Sequence, residues 1–235
     1  MKTKLLKLVF GLALLGAAAS APAQSLFDVQ FNTSGHQQTG AAVTGQSGDY
    51  WNLLTTDSGT SSLMDSQDAS SGVSFTWASQ GLEGSGDYSS GFSGGSYANL
   101  MGGYIYTASP SHNNMSFANL PADASYTLYI YTQGDEASGG RQLGVVDESA
   151  FYGSGPVYVT TPTDATANTF IAGQNYVEIT GTTDGSGNLP FSYGYETTEG
   201  DINGMQLIIT SVPEPSTLAL AGLGGLSLLL FRRRK

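Results

Sequence analysis

The chain has 235 residues, 32 glycines and no cysteine, so disulfide stapling and thiol chemistry are excluded and stability must come from core burial, a metal or both. Seven of its eight Lys and Arg residues lie in the first seven or last four positions. The segment between therefore sets Arg141 alone against eighteen of the nineteen acids, a net of −17 compared with −11 for the whole chain, which argues against DNA, RNA and anionic lipid as partners because those need cationic patches.

The N-terminus reads as a secretory signal peptide over residues 1–23. Lys2, Lys4 and Lys7 form a positive region, 5–19 an apolar one, and Ala21-Pro22-Ala23 a small-x-small cleavage site. Cleavage after Ala23 leaves Gln24 or a neighbour as the new terminus, whereas a cut after Ala21 would place Pro22 just past the bond. The expected handlers are the Sec translocon and signal peptidase.

Residues 24–211 are expected to form one exported all-β domain. Short β-branched or aromatic runs fall at 26–32, 50–55, 73–78, 104–107, 114–117, 126–132, 142–146, 156–160, 175–180, 189–193 and 205–209, separated by Gly, Asn, Asp, Ser and Thr. In 125–132 the alternation is plain: Tyr126, Leu128 and Ile130 share one face, and Thr127, Tyr129 and Tyr131 the other. No helical period persists between the terminal apolar runs. That many short strands in one domain point to a two-sheet β-sandwich or jelly roll. The stretches 57–72 and 81–95, rich in Gly and Ser, read as long loops.

Catalytic signals are sparse. His36 and His112 each sit alone in polar stretches. Gly91-Phe92-Ser93-Gly94-Gly95 fits G-x-S-x-G, but that pattern has meaning only at the strand-to-helix elbow of an α/β sheet, so it reads here as chance. A carboxylate pair for glycoside hydrolysis stays open, since sequence does not give separations. No His/Cys spacing suits zinc.

No motif demands a cofactor, and a structural calcium is the one candidate metal. Two Gly-rich loops place oxygen side chains at alternate positions: Asp184, Ser186 and Asn188, then Glu199, Asp201 and Asn203. Neither completes an EF-hand, because Tyr195 stands where the acidic twelfth ligand is needed. An ordinary Asp-Gly or Asn-Gly turn is the competing reading. Among the aromatics, Trp51 and Trp77 are expected in the core, while Tyr88, Phe92 and Tyr97, in a Gly-rich stretch, are the candidate ligand-facing group for a sugar ring.

The last two dozen residues have three parts: Val212-Pro213-Glu214-Pro215, an uncharged run, and Arg232, Arg233, Arg234 and Lys235. The apolar core of the run, 218–231, is fourteen residues, about 21 Å as a helix. Counted from Val212 it reaches the length of a marginal transmembrane span, with the basic end on the cytoplasmic side. A plain anchor that is never cut remains the alternative. This order of parts closely resembles the PEP-CTERM sorting signal of Gram-negative bacteria. The resemblance implies recognition by an exosortase, passage through an inner-membrane-anchored precursor, and delivery to the cell surface or extracellular matrix.

A looser resemblance, carried by 39–55, 117–135 and 200–208, is to galactose-binding-like β-sandwich domains of exported bacterial proteins, and implies a jelly roll. Together these lead to a non-enzymatic structural or adhesive component associated with exopolysaccharide or biofilm. The alternatives are a calcium-assisted carbohydrate-binding module and, more distantly, a polysaccharide-active enzyme.

Overall fold

The computed structural model describes residues 24–84, 91–108, 112–134, 143–146, 157–159, 167–195 and 199–210. The described residues all belong to one compact unit, Gln24–Thr210. Residues 1–23 and 211–235 lie outside the described residues, and with them Ala21, Ala23, Val212, Pro213, Glu214, Pro215, the expected transmembrane run and Arg232 to Lys235. Among the described residues no helix is long and apolar enough to cross a membrane.

Fourteen strands and one helical turn make up the described part of that unit. They are β1 (Gln24–Phe31), β2 (Trp51–Leu54), β3 (Gly59–Met64), β4 (Ser70–Trp77), β5 (Gly81–Gly84), α1 (Ala98–Met101), β6 (Gly103–Ala108), β7 (His112–Ala118), β8 (Ser125–Tyr131), β9 (Leu143–Val146), β10 (Val157–Val159), β11 (Tyr176–Thr182), β12 (Leu189–Tyr195), β13 (Glu199–Ile202) and β14 (Gly204–Thr210). A five-stranded sheet has the order β11-β8-β14-β1-β2, a six-stranded sheet β10-β9-β12-β7-β4-β3, and a small third sheet β13-β6-β5. Within these, β1 and β2 run parallel. The first and last strands pair at the centre, from Gln24 opposite Thr210 to Gln30 opposite Gly204.

The expected two-sheet sandwich is present. Alternation turns Phe27, Val29 and Phe31, Tyr126, Leu128 and Ile130, and Met205, Leu207 and Ile209 to one face of the five-stranded sheet. They share one buried cluster with Val73, Phe75 and Trp77, Met115 and Phe117, and Leu189, Phe191 and Tyr193 of the six-stranded sheet. Phe75 lies at its heart, with ring centroids of Phe117 at 4.5 Å, Trp77 at 5.9 Å and Phe31 at 6.4 Å. Each such aromatic contributes roughly 1.5–3 kcal/mol by leaving water, which suits a chain with no cysteine.

One seam of the sandwich is closed by a side chain acting as backbone. The Asn52 amide donates to Met64 O (2.8 Å) and Asp28 O (3.0 Å), and its oxygen accepts Met64 N (2.8 Å). Asn52 thus joins the edge strand β2 to the edge strand β3, satisfying groups that an open edge would expose.

The two long loops expected from sequence are corrected in part. Residues 57–72 contain β3 and a tight turn, and 81–95 begins with β5. β3 reads GTSSLM and sends only Leu63 into the core, so no alternation betrayed it. Its strand character comes from pairing with β4, a tertiary contribution. β13 was also missed; it is short and enters the small sheet by pairing with β6.

Candidate functional site

The face of the five-stranded sheet turned away from the main core holds the most unusual chemistry. Alternation places Leu26, Asp28 and Gln30 of β1 there, with Gln206 and Ile208 of β14 and Tyr129 and Tyr131 of β8. An aromatic layer covers part of this face. Trp51, Phe92, Leu100, Met101 and Tyr131 form a second buried cluster, flanked by half-buried Tyr97, Phe170 and Tyr176. Phe170 is the hinge of the layer, 5.0 Å from Phe92, 4.8 Å from Tyr97 and 5.0 Å from Tyr131 between ring centroids.

This arrangement corrects the expected sugar platform. Phe92 is 3% exposed and packs edge-on to Tyr97 at 6.2 Å. Its face meets protein, and Tyr97 leans on Phe170. Tyr88, the third member, lies outside the described residues. Gly-rich flanks suggested exposure, but Phe170, far along the chain, supplies the partner that buries Phe92. Trp51 and Trp77 are buried as expected, Trp51 in this second cluster and Trp77 in the main core.

Beside the aromatics lies an amide layer that fastens 33–49 and 91–102 to the sheet. Gln30 Nε2 donates to His36 O (2.7 Å) and Asn99 O (2.6 Å), and Asn32 Nδ2 donates to Asn99 O (2.8 Å). Gln38 Nε2 donates to Ser96 O (2.9 Å), and its backbone N–H donates to Gln30 Oε1 (2.7 Å). Amides suit this task because each carries donors and acceptors without charge, so buried loop backbone is satisfied with no ionisation cost.

At the centre stands a buried acid. Asp28 is fully buried; Oδ1 accepts Gln206 Nε2 at 2.6 Å, and Oδ2 has no hydrogen-bond partner. Gln206 also donates to Thr44 O (3.1 Å), while its Oε1 accepts the Tyr131 hydroxyl (2.5 Å) and Thr44 N (3.2 Å). The Tyr131 oxygen in turn accepts Val43 N at 3.0 Å. A relay therefore runs from Asp28 through Gln206 and Tyr131 to the 42–49 loop. Burial pushes the Asp28 carboxyl up to about 7, against the Gln206 hydrogen bond, which lowers it, and with the Asp49 charge, which raises it. Burial also raises the Tyr131 hydroxyl.

One same-face step along from Asp28 and Gln206, the sheet opens into a surface pocket of about 360 Å³. Leu26 and Ile208 line it together with Thr44, Gly45, Gln46 and Asp49 from the loop, Ser66 and Gln67 from the turn after β3, and Gln24. Backbone bonds hold these walls: Ser66 N to Leu26 O (2.9 Å), Tyr50 N to Ser66 O (2.9 Å) and Gly40 N to Asp49 O (2.9 Å). Asp49 is 2% exposed, and its Oδ2 accepts Gln46 N at 2.6 Å. Gly45 has φ +98°, and a Cβ there would meet that same Asp49 oxygen, so only glycine fits. No local pattern marks this site, because Asp28, Asp49 and Gln206 come from distant parts of the chain.

The two calcium loops do not assemble. Asp184 Oδ1 accepts Ser186 N (2.9 Å) and Asn188 N (2.7 Å), and Asn188 Nδ2 reaches Oδ2 at 3.1 Å. These bonds lower the exposed Asp184 carboxyl, led by the Asn188 backbone N–H. The carboxylate is thus spent on its own turn. Asn203 is a strut: Nδ2 donates to Gly103 O (2.9 Å) and Met101 O (3.2 Å), and Oδ1 accepts Gln133 N (2.5 Å). Asp201 is buried near Tyr193, whose hydroxyl is raised by burial first and by the Asp201 charge second, whereas Glu199 is half-buried. Among the described residues no group of three or more His, Asp or Glu is placed to hold a metal.

The histidines belong to different sheets. His36 follows β1 on the five-stranded side and offers its carbonyl to Gln30, whereas His112 begins β7 in the six-stranded sheet, its ring against Gly194. Ser93 lies in a turn leading to the single-turn helix α1, not on a strand-to-helix elbow.

A match to a family model covers residues 211–235, described as the PEP-CTERM protein-sorting motif. No curated protein sequence matches the chain. Among solved structures, the chain is similar to an exo-β-1,3-galactanase from Phanerochaete chrysosporium at 16% identity and TM-score 0.28, covering 57% of this chain and 26% of that one. It is similar to the K3 adhesin domain of Lys-gingipain from Porphyromonas gingivalis at 14% identity and TM-score 0.25, covering 47% and 75%. It is similar to TmCBM61 in complex with β-1,4-galactotriose at 12% identity and TM-score 0.26, covering 60% and 85%. The chain spans about a quarter of the galactanase, and similarity at these TM-scores assigns neither a ligand nor an activity. The C-terminal match is of another kind, for it coincides with the Pro-Glu-Pro triplet, apolar run and basic end read from the residues. The chain carries the PEP-CTERM protein-sorting motif, which implies an exported protein with an exosortase as its processing partner.

Proposed function

We propose that the exported sandwich is a non-catalytic structural or adhesive component of the cell surface or extracellular matrix, associated with exopolysaccharide. In this reading Sec export and signal peptidase deliver it, the C-terminal run holds the precursor in the inner membrane, and the exosortase acts near Pro213 to Pro215. The observation that carries it is the sorting motif at 211–235, joined in sequence to an acidic all-β domain. The net of −17 in the exported segment favours solubility and mutual repulsion, properties suited to a component dispersed through a hydrated matrix.

Intact mass and fractionation in the native host test the sorting step. Wild type is expected outside the cell, lacking residues up to Ala23 and the tail beyond the triplet. The combined Pro213→Ala, Glu214→Ala and Pro215→Ala variant is expected to stay with the membrane. Deleting the chain should weaken biofilm or floc cohesion, and the purified domain should release no sugar from host polysaccharide. An intact matrix after deletion, or measurable turnover, overturns the role while leaving the sorting result to stand on its own.

A further inference from the structure

We propose that Gln24, once signal peptidase has exposed it, is a modification site that closes on itself to pyroglutamate. The proposal rests on the reading that the cut falls after Ala23, and it goes beyond the matrix role.

The reaction is intramolecular and needs no co-reactant. The free α-nitrogen of Gln24 attacks Cδ of its own side chain. A bond forms between that nitrogen and Cδ, the bond from Cδ to Nε2 breaks, and Nε2 leaves as ammonia with the proton that the amine gives up. The product is a five-membered lactam with no basic nitrogen. An α-amino group, unlike a lysine, is partly unprotonated near neutral pH, so the nucleophile needs no neighbouring base.

The fold leaves both reacting groups free. The bond from Phe31 N to Asn203 O (3.0 Å) fixes the phase of the ladder between β1 and β14, in which only every second facing pair exchanges hydrogen bonds. The bonded positions of β1 are then Phe31, Val29, Phe27 and Ser25. Gln24, opposite Thr210, lies one place past the last of them, with its backbone nitrogen turned away from β14. On the other side β2 pairs only with Asp28 to Phe31 and does not reach it. The Gln24 side chain is exposed, and its amide makes no hydrogen bond to another described residue. Ring closure therefore costs no rung of the sheet, and the open pocket beside Gln24 has room for the ring.

Closure removes the one positive charge that cleavage creates and leaves Arg141 as the only Lys or Arg of residues 24–211. It also removes the ammonium that aminopeptidases recognise. That protection matters because β1 is an inner strand, between β14 and β2. Trimming beyond Gln24 would take Ser25 from its rung with Ile209, and then Leu26, whose carbonyl accepts Ser66 N at 2.9 Å.

The test uses the full chain, exported from its own host with its own signal peptide. Digestion before Asp28 releases the peptide Gln24–Phe27, whose mass is measured. It is expected to be lighter than its sequence by one ammonia and closed to Edman degradation, and pyroglutamyl peptidase should reopen it with Ser25 first. Gln24→Ala should be cut at the same bond yet stay open to Edman degradation, and lose its first residues to added aminopeptidase while wild type keeps them. Freshly exported protein, incubated folded and in urea, should close at rates within about threefold of each other, because the end of β1 is already free. A peptide that begins at Gln24 and keeps its full mass overturns the proposal and leaves the cleavage reading intact. A different first residue overturns both. A folded rate slower than that range overturns the claim that the sheet leaves Gln24 free to react.

Discussion

Asp28→Asn measures how much stability depends on one buried acid. The Asp28 carboxyl is raised from 3.8 to about 7 in the folded domain. Between those values the folded state binds a proton that the unfolded chain has released, so stability declines as pH rises. The full contribution is present below about 3.8 and is lost as pH passes through about 7. Across that window the change is about 1.4 kcal/mol per pH unit, giving roughly 3 kcal/mol between pH 5 and pH 8. For a domain of this size that corresponds to a fall of roughly 6–10 °C in Tm.

Asparagine keeps an oxygen for Gln206 Nε2 but cannot ionise, so its share of the pH dependence vanishes. The assay is guanidinium unfolding of both proteins at pH 5, 6, 7 and 8. The quantity to read is the difference between them, which cancels repulsion among the surface acids. The variant is expected to gain on wild type steadily with pH, and to be the more stable at pH 8. A constant difference across the series would refute the reasoning, because it would mean that Asp28 ionises in the fold as it does in the unfolded chain.

Four further outcomes follow from the same geometry. Phe75→Ala removes the ring at the centre of the sandwich and should cost about 3–5 kcal/mol in chemical denaturation. Tyr131→Phe strips the hydroxyl that links Gln206 to Val43; it should cost about 1–3 kcal/mol and speed hydrogen exchange at Val43 and Thr44 before other loops. Gly187→Ala forces a side chain onto φ +76° and against the Leu120 carbonyl, and should lower stability by about 1–3 kcal/mol with the core spectra unchanged. Millimolar calcium and EDTA should leave the melting temperature in place, since Asp184 and Asn203 already bond within the fold; a rise of several degrees with calcium would contradict that placement.

The sorting motif was legible in the C-terminal residues, because such a tail is read as local chemistry: cyclic residues, apolar length and charge in a fixed order. The sandwich was legible for a related reason. Period-two runs such as 125–132 state which side chains face inward whatever they pair with, and Phe27, Leu128 and Phe191 obeyed that pattern. Trp51 and Trp77, too, were placed in the interior by their strands.

What failed to show were features whose meaning lies in a distant partner. β3 is a strand because β4 is beside it, and Phe92 is buried because Phe170 arrives from the far side of the sequence. The Asp28 carboxyl is unusual only because Gln206, Tyr131 and the 42–49 loop shut it away from water, and no neighbour in sequence reports that closure. The sequence alone determined export, sorting, charge and the alternation of the sheets, since each depends on neighbouring residues. Tertiary structure decided the buried acid, the aromatic layer and the pocket, because burial is a property of whatever folds over a residue.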